Sequence, residues 1–309
     1  DWNELVNQVL RRLQAGSLDT FGQAVVPRVT PNGFRIEAAG GALTIGVGRL
    51  YVDGLLVENH GALPTRWDRQ LAELTGSVAL NYTTQPYYPN PPPLPTGGPH
   101  LVYLDVWQRE LTHLQYPDLV EKAVGVDTTA RLQTAWQVKV LPRVGPITCA
   151  TPDAEIQGWV ATTAASGARL TSSTGAVAET PNPCLIPPSG GYRGLENQLY
   201  RVEIHSGGTT GTATFKWSRD NATVASRVTH INTARDRLVV ESLGRDTILR
   251  FVDGDWVEIT DDVRELHGLP GIMARILQGG GVDEATRTLV LETPLPTGTF
   301  PTTSEQTDP

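Results

Sequence analysis

The residues of this chain best suited to chemistry are a carboxylate cluster, Asp253, Asp255, Glu258, Asp261 and Asp262, and the run Trp217-Ser218-Arg219-Asp220-Asn221. Paired carboxylates hydrolyse glycosidic bonds, and loop carboxylates hold Ca²⁺. In a strand, however, Trp256 and Glu258 share one face while Val257 and Ile259 share the other, so the acids point outward from a half-buried sheet. The aspartates also lack the full ligand series of a calcium loop. Solvated outer-face charge is the reading the spacing favours, and no catalytic or metal-binding residue is assigned.

Trp217, Arg219 and Asp220 join an aromatic ring, a guanidinium and a carboxylate, a set able to stack on a sugar and hydrogen-bond its hydroxyls. The competing reading packs Trp217 in a core and gives Asp220 and Asn221 to a turn. Tyr87 and Tyr88 are further contact candidates, because they sit in Pro86-Tyr87-Tyr88-Pro89-Asn90-Pro91-Pro92-Pro93-Leu94-Pro95-Thr96-Gly97-Gly98-Pro99. So many prolines make a stiff exposed loop rather than a strand, either a projecting contact arm or a rigid surface excursion.

Other chemistries find no support. The six histidines, His60, His100, His113, His205, His230 and His267, show no metal-ligand spacing, and no serine elbow, phosphate loop or H-E-x-x-H is present. Gly46-Val47-Gly48 precedes a strand, not a helix, and so cannot cradle a phosphate. The chain reads as non-enzymatic and without a cofactor. Cys149 and Cys184, in Pro/Thr-rich surroundings, fit either a disulfide or two unrelated thiols.

The elements that must position these residues are mostly strands. Leu5, Val6, Val9, Leu10 and Leu13 fall at helical spacing, which predicts one amphipathic N-terminal helix ending by Gly16. Asp53-Gly54 between two apolar runs predicts a tight hairpin. Leu101 to Glu110 and Ala135 to Val140 read as a central and a later strand, with a helix or an extended crossing segment over 117–131. Leu199 to His205 and Ala213 to Ser218 alternate cleanly and open a second meander, continued at 237–241, 255–259, 272–277 and 288–292.

The expected fold is mainly β: two antiparallel β-sandwich or barrel-like domains with a short N-terminal helix and a Pro/Gly/Ser/Thr-rich connector. The bounds are 1–30 for the helix and its arm, 31–145 for the first β domain with the projecting loop 86–99, 146–194 for the connector, 195–300 for the second β domain and 301–309 for a tail. The 31 glycines and 23 prolines of the 309 residues agree, because they punctuate hairpins and loops. A net charge of −8, with 22 Arg and 3 Lys scattered without a run, argues against nucleic-acid binding. Apolar runs far shorter than a bilayer span argue against direct membrane insertion.

Three stretches together carry a resemblance: Asp1-Trp2-Asn3-Glu4, Gly194-Leu195-Glu196-Asn197-Gln198-Leu199-Tyr200-Arg201-Val202-Glu203-Ile204-His205, and Ala213-Thr214-Phe215-Lys216-Trp217-Ser218-Arg219-Asp220-Asn221. They resemble an uncharacterised bacterial family found with phage-tail-like contractile injection systems. In that family a further stretch precedes the D-W-N-E, so the resemblance implies a trimmed N-terminus. It also implies a structural or accessory component such as a baseplate, fibre or outer-decoration protein. Its partners would be other subunits of the particle and further copies of itself. Its location would be the particle, extracellular or assembled in the bacterial cytoplasm before release. The alternative is a carbohydrate-binding module for surface attachment, centred on Trp217, Arg219 and Asp220.

Overall fold

The computed structural model describes residues 2–61, 78–148, 150–172, 184 and 199–302. The chain divides into two compact units: residues 1–164 with 262–269, and residues 165–261 with 270–309. The first unit extends past the expected boundary at 145, because Trp159 packs its ring edge-on against Tyr103 at 5.3 Å and ties the start of the connector down.

Helix α1 (Trp2–Phe21) opens the first unit and is followed by β1 (Ala24–Val25), β2 (Ile36–Ala39), β3 (Ala42–Ile45), β4 (Gly48–Val52), β5 (Leu55–Asn59) and β6 (Leu80–Asn81). Then come β7 (Leu101–Leu111), β8 (Val120–Glu121), β9 (Val126–Asp127), β10 (Arg131–Leu141) and α2 (Trp159–Thr163). The predicted stop at Gly16 is corrected. A helical glycine costs only about 1 kcal/mol relative to alanine, and the helix runs on until Gly22 takes a left-handed φ of 77° and its N–H bonds Leu18 O at 2.8 Å. Its last turns are held by Phe21 against Tyr51 and by Gln14 Nε2 donating to Asp53 O.

The Asp53-Gly54 hairpin forms as expected: Val52 pairs Leu55, and both turn residues have positive φ, 46° and 79°. Strands β7 and β10 pair antiparallel over their full length, from Leu101↔Leu141 to Leu111↔Arg131. The segment between them holds one 3₁₀ turn, Pro117–Leu119, and the small β8–β9 hairpin in place of a longer helix or a plain crossing.

One face of this ribbon is covered. Phe34, Ile45, Val57, Tyr82, Tyr88, Trp136 and Val138 form the first core. Trp136 meets Phe34 edge-to-face at 5.0 Å and donates Nε1–H to Glu58 O at 3.0 Å. Buried amides sew the layers together. Asn59 donates to Ile45 O and Gly46 O and accepts from Gly61 N–H, and Gln85 bonds both backbone groups of Val138.

The second unit holds β11 (Tyr200–Ser206), β12 (Thr214–Arg219), β13 (Val228–Ile231), β14 (Arg237–Val240), β15 (Trp256–Ile259), β16 (Ile272–Arg275), β17 (Val282–Asp283) and β18 (Thr288–Val290). The short helix α3 (Asp262–Leu266) leaves it to join the first unit. A four-stranded sheet in the order β13-β14-β18-β17 packs with β15–β16 around Leu238, Ile259, Ile276, Leu289 and Leu295. The protein is thus mainly β, built from several antiparallel sheets of two to four strands. None closes into a barrel among the described residues, so the barrel alternative is corrected.

Candidate functional site

The β11–β12 hairpin sorts its side chains by the two-residue period of a strand. Direct pairs lie on one face, so Tyr200↔Arg219, Val202↔Trp217 and Ile204↔Phe215 form an apolar face edged by arginine. Arg201↔Ser218 and Glu203↔Lys216 form a polar one. The usual arrangement buries the first and wets the second. Here it is inverted.

Trp217 is 63% exposed, and Phe215, Tyr200 and Val202 are exposed beside it. The Tyr200 and Trp217 rings meet at 5.8 Å. The polar face is tied to the body of its own unit. Lys216 Nζ donates to both carboxylate oxygens of Glu258 at 2.6 Å, and Glu203 stands 3.4 Å from the same ammonium. Arg201 Nε donates to Glu203 at 2.7 Å, and Gly271 N–H donates to Glu258 at 3.0 Å. Burial pushes the Glu203 carboxyl up, but Arg201 and Lys216 outweigh it and leave its pKa below the ordinary carboxylate value. With its charges held inward, the hairpin presents its hydrophobic face to solvent.

The structure therefore removes the reading in which Trp217 packs in a core. Arg219 lies exposed at the end of β12, and Asp220 begins the turn Asp220–Ala222 that follows it. Tyr87 and Tyr88 are placed elsewhere. Tyr88 is only 7% exposed, packed edge-on to Tyr82 and against His267, while Tyr87 is half-buried against Trp136. Gln137 donates to Tyr87 O, and His267 Nε2 lies 2.7 Å from Pro89 O.

The projecting arm is thus corrected. Tyr87, Tyr88 and Leu94 pack on the first core, because two adjacent tyrosines supply enough apolar surface to draw a proline-rich segment in, while Pro86, Asn90, Pro92, Pro93 and residues 96–99 lie exposed.

The carboxylate cluster is dispersed. Asp253 accepts from Gly280 and Val282 N–H, Asp255 accepts from Val252 N–H, Asp262 stands 3.7 Å from Arg109, and Glu258 serves Lys216. Glu258 is not the solvated charge the strand pattern suggested but the anchor of the hairpin. Among the described residues no group of three or more His, Cys, Asp or Glu is placed to hold a metal ion. Among them also, no helix is long and apolar enough to cross a membrane. Cys184 is exposed, and Cys149 lies outside the described residues, as does any pairing of the two.

The family model described as a family of unknown function, DUF6519, matches residues 42–146 and 154–308, most of both units. The chain belongs to the DUF6519 family. No curated protein and no solved structure matches it. Residues 199–219, which build the outward hairpin, fall inside the part of the chain that the family model covers. Sequence reading singled out Trp217 but missed Tyr200, Val202 and Phe215, although their alternation opposite Trp217 was there to be paired.

Proposed function

We propose that this chain is a non-enzymatic structural component of a phage-tail-like contractile injection system, a baseplate, fibre or outer-decoration subunit that acts through contacts with its neighbours. The observation that carries the reading is the inverted hairpin. A folded chain gains about 25 cal/mol for each Å² of apolar surface it removes from water. A two-stranded ribbon that instead pins its charges inward and leaves Trp217, Phe215 and Val202 outside keeps that gain in reserve for another molecule. The resemblance of 194–205 and 213–221 to proteins of such particles supports the same reading, since those motifs include most of strand β11 and all of β12.

Purification of the native assembly tests it. The chain should travel with sheath and tube proteins, and the double variant Phe215→Ser/Trp217→Ser should fold but be missing from the particle. A native protein that never travels with sheath or tube would end this assignment.

A second reading, a glycan-binding module, is favoured by the exposed Tyr200–Trp217 ring pair beside Arg219. Glycan-array binding by the isolated chain that Trp217→Ala abolishes would select it, and binding to no glycan would remove it.

A further inference from the structure

Helix α1 buries none of its 20 residues. It is nevertheless amphipathic: Trp2, Leu5, Val6, Val9, Leu10 and Leu13 fall within a stripe about 140° wide at the α-helical turn of ~100° per residue. The contacts that hold α1 to the first unit come from elsewhere on the helix, from Phe21 against Tyr51 and from Gln14 to Asp53 O. Beyond Leu13 the stripe continues as Gly16, Ser17 and Thr20, so it is confined to the half of the helix beyond that attachment. Trp2 is 75% exposed and Leu13 63%.

We infer that this stripe joins copies of this chain into a parallel three-helix bundle. This inference stands on α1 alone and does not depend on the hairpin. Three observations favour further copies of this chain as the occupant. Trp2, Val6, Val9 and Leu13 recur at steps of four, three and four, the spacing at which one helix packs its knobs into the holes of another. Leu5 and Leu10 flank that seam on either side, which makes it wider than a two-helix contact can cover. The two central seam positions, Val6 and Val9, are both β-branched, a choice that shifts parallel bundles from two strands to three or more.

The area agrees. At the exposures found, each helix offers of the order of 600 Å² of apolar side chain, comparable with the roughly 800 Å² per partner of a stable interface. The charged residues Glu4 and Arg11 lie on the opposite side of the helix, where a bundle leaves them in water.

The full-length chain should sediment at three times its 33.4 kDa mass. Val9→Asp should return it to monomer with the far-ultraviolet spectrum of a folded chain and a melting temperature that no longer rises with protein concentration, because α1 supplies no buried residue to either core. In a chain carrying Cys149→Ser and Cys184→Ser, Leu13→Cys should cross-link under mild oxidant. Parallel packing brings the three copies of position 13 together, whereas antiparallel packing sets each opposite the far end of the seam. A monomeric or dimeric wild type would overturn the bundle. So would an oligomer that survives Val9→Asp, a Leu13→Cys that fails to cross-link, or a monomer that pellets with anionic vesicles.

Discussion

Two ribbons in this chain are close counterparts with opposite fates. In the first unit β7 and β10 pair Trp136 with Val106; in the second, β11 and β12 pair Trp217 with Val202. Trp136 is 1% exposed, with Phe34 edge-on to its ring and Glu58 O accepting its N–H. Trp217 has a tyrosine beside it and is otherwise open.

Local sequence sets both the pairing and the sorting of side chains between faces. It does not set which face is covered, because that depends on elements far away in the chain. For β10 these are β3, β5 and the Tyr82–Tyr88 segment. For β12 the contact is with β15, whose Glu258 meets the polar face. The difference shows how a chain with two cores can still leave a hydrophobic face exposed: a salt-bridged network holds the other side of the ribbon inward.

The comparison breaks most visibly at the two tryptophans. Trp136→Ala should cost about 3–5 kcal/mol of stability through the cavity it leaves, read as a fall in denaturant midpoint of the first unit. Trp217→Ala should stay within about 0.5 kcal/mol of wild type yet, on the proposed role, abolish incorporation into a particle. Equal losses of stability from both would mean that the hairpin face is covered within the chain.

Asn59→Leu comes next. It removes the amide's bonds to the Ile45 and Gly46 carbonyls, the second of which keeps the Phe34 N–H, strands the Gly61 N–H, and should cost roughly 1–3 kcal/mol, measured the same way. Lys216→Met should cost about 1 kcal/mol or less, since its carboxylate partners are only partly buried. Its larger effect should be faster hydrogen exchange in β11 and β12, because the hairpin loses what holds its polar face inward.

Extremes of pH should separate the units with the smallest effects. Burial, and then the neighbouring Tyr88, push the Tyr82 hydroxyl up to about 12, and burial also raises Tyr87, Tyr88 and Tyr103. A raised folded pKa gives stability that is present below the ordinary tyrosine value near 10 and lost as pH rises through the folded one. The first unit should therefore loosen above about pH 10. Glu203, held low, contributes stability above the ordinary carboxylate range that is lost as pH falls through its folded value. The hairpin should thus loosen in acid while Trp136 fluorescence is unchanged.

Much of the fold was legible from local signals. Asp53-Gly54 named its own turn, and the strand-length alternations named β7, β10, β11 and β12. The site was less so. Trp217 was singled out for its chemistry, but its exposure depends on Lys216 reaching Glu258, 42 residues away in sequence. Tyr88 failed for the opposite reason. Seven prolines in its segment outweighed, on local grounds, two tyrosines whose burial is decided by Trp136 and His267. Gly16 misled in the same manner, since a glycine inside a helix weakens it without ending it, and the ending belonged to Gly22.

Hydroxyl-radical footprinting of the free chain against the particle purified from its source tests the central claim most directly. Tyr200, Phe215 and Trp217 should be labelled in the free chain and strongly protected in the particle, with Trp136 unreactive in both. Equal labelling of Trp217 in the two states would contradict the account.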